Sequence, residues 1–224
     1  MAWQDNMVRA EEAILGGNLG LAEDLLWYAL QEADKFGPTS QEMMTTGDRL
    51  AEVLMDQQKF TDAEEVLLRL AEMKNQVLGP ADESTGKTML KLAAAYYAQQ
   101  KFRQAEPFAL SALRVFETCF GKEHGETVRA TTNLAYINHA QGKAAEAREY
   151  YRRSIATQSK LLGENHEDVV SLKSLCESLG EELAAAPAQQ VGAAALPADD
   201  HISRMLDKGF AALDNETDEQ LPGH

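Results

Sequence analysis

The sequence predicts an all-α protein, an α-solenoid assembled from helix–turn–helix repeats. Three observations predict it. Glycines stand at Gly37, Gly79, Gly121 and Gly163, each 42 residues after the last, and self-similarity at a fixed period marks stacked supersecondary units. Within each period the apolar residues recur at helical spacing. Alternating Val/Ile/Thr runs, the signature of strands, are absent.

The elements follow in order. Leu50-Ala51, Leu92-Ala93 and Leu134-Ala135 keep the 42-residue step, as do Lys59, Lys101 and Lys143. The segments LAEVLMDQQKFTDAEEVLLRLAEMKNQVLG, LAAAYYAQQKFRQAEPFALSALRVFETCFG and LAYINHAQGKAAEAREYYRRSIATQSKLLG align directly. RAEEAILGGNLGLAEDLLWYALQEADKFG is a divergent first copy, one residue shorter. The repeats span 3–37, 38–79, 80–121 and 122–163. In the third, Met89, Leu92, Ala93 and Tyr96 form one stripe of a first helix. A break at Gln100-Lys101-Phe102 precedes a second helix carrying Ala105, Ala109, Ala112, Leu113 and Phe116. Gly121 stops that helix. A further helix over 166–185 caps the apolar face that the last repeat would otherwise expose; with it the array occupies 1–186. Residues 187–200, rich in Ala, Pro and Gly, read as a flexible linker. In 201–224, Ile202, Met205, Leu206, Phe210 and Leu213 mark a short amphipathic helix ahead of an acidic tail.

Bulk composition bounds the function. Hydrophobic residues are 44% of the 224, enough for a core, and the net charge is −15. That charge argues against nucleic acid, whose binding rests on Lys and Arg at phosphates, and against an anionic membrane surface. No apolar run approaches the roughly 18 residues of a membrane span, and MAWQDNMVRAEEAIL lacks the basic start of a secretory signal. Cys119 and Cys176 lie far apart without metal-type spacing and are expected as small apolar groups in a reducing compartment. The expectation is a cytoplasmic protein.

The period resembles tetratricopeptide repeats, of the 42-residue variety found in kinesin light chains. The residues that carry the resemblance are Ala51, Ala93 and Ala135 after leucine, Ala22, Ala63, Ala105 and Ala147 opening the second helices, and the large-then-small pairs Leu26/Ala29 and Tyr151/Ser154. LGPADEST and LGENHEDV resemble the long inter-repeat turn of that variety. Ala144 stands where Phe60 and Phe102 do, and Arg9 takes a leucine position. The resemblance implies a right-handed superhelix whose first helices line a concave groove, and a non-enzymatic scaffold or adaptor that binds an extended or helical peptide there.

At about 100° per residue, the side of each first helix opposite the core stripe carries Thr45, Arg49, Glu52 and Asp56 in the second repeat. In the third it carries Lys87, Lys91, Ala94 and Ala98, and in the fourth Arg129, Asn133, Tyr136 and Ala140. The candidate groove residues are therefore Arg49, Lys87, Lys91, Tyr97, Arg129, Asn133, Tyr136 and His139. Cations there suit carboxylates and Asn suits a peptide backbone, so the expected partner is a protein or peptide, acidic in character. The arrangement is similar to the carboxylate-clamp subgroup, although Met7, Glu11, Asp48 and Glu52 supply no counterpart to that subgroup's first-repeat Lys and Asn. No cofactor or metal is implied, and His124 and His166 read as turn or capping residues.

ADESTGKT, residues 81–88, opens a second reading: it fits a relaxed P-loop pattern, so a nucleotide-binding protein or the regulatory subunit of an enzyme is the alternative. A P-loop needs a preceding strand and a glycine-rich turn. Here the preceding segment has helical periodicity, and Asp82 and Glu83 would repel phosphate; Asp82 or Ser84 is expected to cap a helix instead. A third reading is a structural oligomer built through end helices around Trp3 and Trp27. The amphipathic segment 201–214 is expected to dock in the chain's own groove or to mediate self-association.

Overall fold

The structure is a computed structural model that describes residues 2–185, with side chains described as far as residue 180. Among these residues the secondary structure is helical throughout. The helices are α1 (Ala2–Leu15), α2 (Leu19–Ala33), α3 (Gln41–Asp56), α4 (Phe60–Val77), α5 (Glu83–Ala98), α6 (Phe102–Phe120), α7 (Gly125–Ala140), α8 (Ala144–Leu162) and α9 (Glu167–Ala185), with a single 3-10 turn at Asp34–Phe36. The expected all-α class and the helix–turn–helix units are present. The linker and amphipathic segment expected over 187–224 lie outside the described residues.

The chain forms two compact units, Met1–Gln100 and Lys101–His224. In the first, α1 packs on α2, α2 on α3, α3 on α4 and α4 on α5. In the second, α6 packs on α7, α7 on α8 and α8 on α9. Every such contact is between neighbours in sequence, as stacking of repeats demands.

The 42-residue period is a period of backbone solutions. Gly37, Gly79, Gly121 and Gly163 each close a second helix or its terminal turn at φ between 85° and 109°, a region that a Cβ makes costly. The helix that follows is capped at the same step: Ser40, Asp82, His124 and His166 each accept a backbone N–H of the next turn. The two histidines do this through Nδ1, so the expectation that they cap turns is met. Between the two helices of a repeat the chain turns through a left-handed residue, Gly17, Gln58, Gln100 or Gly142, with φ of 59° to 74°.

Adjacent repeats are tied by a recurring glutamine. Gln57 donates to the carbonyl of Leu19 and to Glu23. Gln99 donates to the carbonyl of Phe60 and to Glu64, and Gln141 to the carbonyl of Phe102 and to Glu106. Each therefore joins the end of a first helix to the start of the preceding repeat's second helix. Lys59 and Lys143 add ion pairs to the same acids, Glu23 at 2.5 Å and Glu106 at 2.7 Å.

The core is alanine and leucine where helices approach closely, with larger side chains between. Ala22, Ala63, Ala105 and Ala147, at one position of every second helix, are all 0% exposed. Leu26, Leu50, Leu54, Leu67 and Leu92 fill the first unit, and Phe116, Leu134, Tyr151 and Leu172 the second, each 0% exposed. Burying one such side chain contributes about 2 kcal/mol. Several buried positions are polar, and one of them holds a lysine. Lys74 of α4 is 2% exposed; its Nζ lies 2.7 Å from both carboxylate oxygens of Asp48 and 2.9 Å from the Thr88 hydroxyl. The cluster fastens α3, α4 and α5 together. Cys176 is buried as expected, whereas Cys119 is exposed, because it falls on the outer side of α6 near its C-terminal end.

Candidate interaction face

In the first unit the first helices α1, α3 and α5 present a continuous ladder of charges. Glu11 on α1 accepts from Arg49 on α3 through both of its oxygens, at 2.6 and 2.7 Å. Arg49 also reaches Glu52 at 2.8 Å. Glu52 in turn receives Lys91 of α5 at 2.5 Å. Burial works against the Arg49 cation, but Glu52 and Glu11 outweigh it and hold its pKa above the ordinary value. Burial likewise pushes the Glu52 carboxyl up, and Lys91 with Arg49 outweighs it and holds it below the carboxylate range. The ladder is half open to water: the side chains of Glu11 and Glu52 are each 38% exposed and that of Arg49 is 42%. Lys91, at 16%, is the most enclosed. Lys87 stands one turn earlier on α5, exposed, 2.6 Å from Glu83. Tyr97 is half-buried, and burial pushes its phenol well above the ordinary value.

The sequence places Arg49, Lys87 and Lys91 on one side of the first helices, and the structure puts them there. It also answers each with an acid: Glu11 and Glu52 for Arg49, Glu83 for Lys87 and Glu52 for Lys91. In the second unit the positions divide. Arg129 is 14% exposed and pairs with Glu126 at 3.2 Å; the other oxygen of Glu126, Oε2, is buried without a hydrogen-bond partner. Asn133 is half-buried on the same helix. Tyr136 and His139 are core residues, 2% and 5% exposed. Tyr136 sits edge-on to Tyr151 of α8 with ring centroids 5.7 Å apart, and His139 Nδ1 lies 3.2 Å from the Tyr151 hydroxyl. Ala94, one period before Tyr136, is also buried. The reason is geometric. A first helix inside a stack is covered on more than one side, so its free stripe is narrower than half a turn. On α5 that stripe reduces to Glu83, Lys87, Lys91 and Ala98.

ADESTGKT is helical. Asp82 caps α5 by accepting from Ser84 and Thr85, Gly86 donates its N–H back to the Asp82 carbonyl, and Thr88 lies in the Lys74 cluster. A helix, α4, precedes the stretch. The N–H groups that would cradle a phosphate are committed to the first turn of a helix, and the P-loop reading fails at these residues.

The residues that sequence reasoning missed are the Gln57/Gln99/Gln141 clamp and the Lys74 cluster. The clamp was visible as a third column beside Lys59, Lys101 and Lys143. The Lys74 cluster had no such signal, since 42 residues on from Lys74 stands Phe116 and then Gln158. A further hollow in the first unit, between α2 and α4 over α3, is lined by Trp27, Met43, Gly47, Val66, Leu70 and Met73. Trp3, by contrast, is tied in place, its indole N–H donating to Thr46 at 2.8 Å.

The comparisons with known proteins bear on this frame. One tetratricopeptide repeat family model matches residues 42–118 and a second matches residues 127–168, together more than half of the chain. No curated protein sequence matches it. Among solved structures, the kinesin light chain nearly identical TPR-like repeats of Podosopora anserina share 18% identity, covering 93% of this chain and 92% of that one, with a TM-score of 0.69. BtubC (BKLC) from P. vanneervenii shares 15% over 88% of this chain and 86% of its own, at a TM-score of 0.63. A Rap protein complexed with Competence and Sporulation Factor shares 18% over 80% of this chain and 54% of its own, at a TM-score of 0.56. At such identities the likeness is one of fold. Among the described residues no helix is long and apolar enough to cross a membrane, and no cluster of His, Cys, Asp and Glu has the make-up of a metal site. The chain belongs to the tetratricopeptide repeat family, with repeats of the kinesin-light-chain kind.

Proposed function

We propose that the protein is a non-enzymatic interaction scaffold that receives a segment of a partner protein on the face formed by its first helices. The observation that carries this reading is the ladder Glu11–Arg49–Glu52–Lys91, which runs across three helices while staying half open to water. Ion pairs of that exposure contribute about 0–1 kcal/mol each. A partner carboxylate can therefore exchange with Glu11 or Glu52 at little cost and gain the bidentate geometry that Arg49 already displays. Lys87, exposed and 2.6 Å from its helix neighbour Glu83, is a cation open to such a partner. Recognition of this kind needs shape and paired charge and no chemical step. A Rap protein of the same fold is known in complex with Competence and Sporulation Factor, which supports the fold as a receiver of a second molecule.

The reading is tested by affinity capture with the full chain beside Arg49→Glu/Lys87→Glu, with Arg69→Glu on α4 as control. Arg69 is exposed and paired only within its own helix. Partners retained by wild type and control and lost from the double variant are ligands of this face. Identical partner lists from all three proteins refute the proposal. Unchanged circular dichroism and tryptophan fluorescence show that each variant is folded.

A further inference from the structure

The second unit has a cleft between α8 and α9 whose character is opposite to that of the chain. It is lined by Arg152, Ile155, Ser159, Lys160, Glu164 and Lys173. Three bases thus face one acid in a protein of net charge −15. Ile155 and Ala156 give it an apolar strip. Lys160 and Lys173 already hold acids, Glu123 at 2.6 Å and Glu164 respectively, and both pairs are largely exposed, so these lysines change partner at little cost. Neither the family nor the ladder on the first helices accounts for this cleft.

We infer that the cleft is the seat of the chain's own C-terminal segment, residues 210–219. That segment reads FAALDNETDE. Phe210 and Leu213 match the apolar strip, and Asp214, Glu216, Asp218 and Glu219 match the three bases, with no Lys or Arg from residue 209 to the end. The reach fits as well. Twenty-eight residues separate Ala185, where α9 ends, from Asp214. Lys173 lies twelve residues back along α9 from Ala185, about 18 Å at the helical rise, a distance that a chain of that length can cross. The contact is then intramolecular, which raises the effective concentration, so individually weak contacts suffice. Lys91 and Arg129 on the first helices are poorer hosts, enclosed in pairs of their own; Arg49 and Lys87 are open, and linkage of the tail to Lys87 counts against the inference. For 201–214 the sequence-based expectation is the groove or self-association; residues 210–219 are here assigned to a different surface.

The test is zero-length carbodiimide cross-linking of the dilute full chain, read by peptide mass spectrometry. Lys160–Glu123 and Lys173–Glu164 links serve as internal proof that both lysines react. The expected result is intramolecular linkage of Lys160 or Lys173 to acids within 214–219, falling about tenfold at about 0.5 M salt. It falls equally in Lys160→Glu/Lys173→Glu and returns when Asp214→Lys/Glu216→Lys is added, with the bond direction reversed. The inference is overturned if the tail acids link only between chains, link equally to Lys87 and Lys101, or fail to link while the two internal controls form.

Discussion

The Lys74 cluster permits a prediction whose size follows from exposure. Lys74→Met removes the ammonium and leaves the Asp48 carboxylate unanswered, but that carboxylate is 30% exposed and water recovers part of the loss. The Thr88 hydroxyl keeps its bond to the Ser84 carbonyl. The expected cost is about 2 kcal/mol, at the lower end for a broken buried pair. Asp48→Leu is worse, because the orphan is then an ammonium only 2% exposed; about 4 kcal/mol is expected. The double variant Lys74→Met/Asp48→Leu buries neither charge and returns to within about 1 kcal/mol of wild type. The chain carries its own precedent: one period on, the three positions are Phe116, Leu90 and Ala130, all buried and apolar. Urea denaturation followed by tryptophan fluorescence measures this in the right place, since Trp3 and Trp27 both lie in the first unit. Titration adds a sign. Burial already lowers the Lys74 pKa below 10.5, against the pull of Asp48. Without Asp48 the native state binds fewer protons than the unfolded one between the lowered value and 10.5, so Asp48→Leu gains stability as pH rises through that window. Single variants of equal cost, an additive double, or a flat alkaline profile would refute the reasoning.

Three further outcomes are expected. Gln99→Ala removes the clamp on Phe60 and Glu64 and lowers the urea stability of the first unit by about 1–2 kcal/mol; a loss below about 0.3 kcal/mol would deny the clamp a role in stacking. Gln58→Gly relieves a left-handed residue at φ 59° and raises the melting temperature, the relief of about 1–2 kcal/mol exceeding the added unfolded-state entropy of about 0.4–1 kcal/mol; a lowered melting temperature counts against it. Glu23, Glu52 and Glu106 are pushed up by burial but held below 4.5 overall by Lys59, by Lys91 with Arg49, and by Lys143 respectively. Their folded pKa values are depressed, so the stability they contribute is present above pH 4.5 and lost as pH falls below it. Glu52→Gln should flatten part of that acid limb in the first unit, and an unchanged limb would show that the ladder is energetically silent.

The period made the fold legible because its fixed residues answer fixed backbone needs. A glycine at φ near 95°, a cap at Ser40, Asp82, His124 and His166, and small alanines at the helix crossings cannot drift without cost, so they recur and are found by alignment. The site was only half legible. Spacing put Arg49, Lys87 and Lys91 together on the open side of the first helices, since 100° per residue is a property of one helix. Spacing is blind to neighbours, however, and the burial of Ala94, Tyr136 and His139 is set by what packs around a helix. The same blindness hid the acids that reach across helices: Glu11 is 38 residues from Arg49, and Glu52 is 39 from Lys91. The Lys74 cluster was illegible because nothing at its period repeats.

The division between what recurs and what varies is itself informative. The clamp and the glycines keep their identity from repeat to repeat, and the capping position keeps its role while its residue changes among Ser40, Asp82, His124 and His166. The open stripe does not: Thr45, Lys87 and Arg129 occupy one position, Arg49, Lys91 and Asn133 another. A side chain that held the stack would be under the same geometric demand in every repeat. These are not, and they stand where water or a partner meets the helix, which is where recognition has freedom to vary. The Lys74 position varies as well, through Phe116 to Gln158, yet at Lys74 and Phe116 it is closed to any partner. Variation in the interior has another use. A chain of near-identical units risks stacking in the wrong register, and a slip of one repeat would set the Lys74 ammonium against a unit that lacks Asp48. An uncompensated buried charge costs several kcal/mol, enough to reject that register. Under the proposed function the ladder and the cluster are two answers to one problem, distinguishing copies of a repeated unit, the first for a partner and the second for the chain itself.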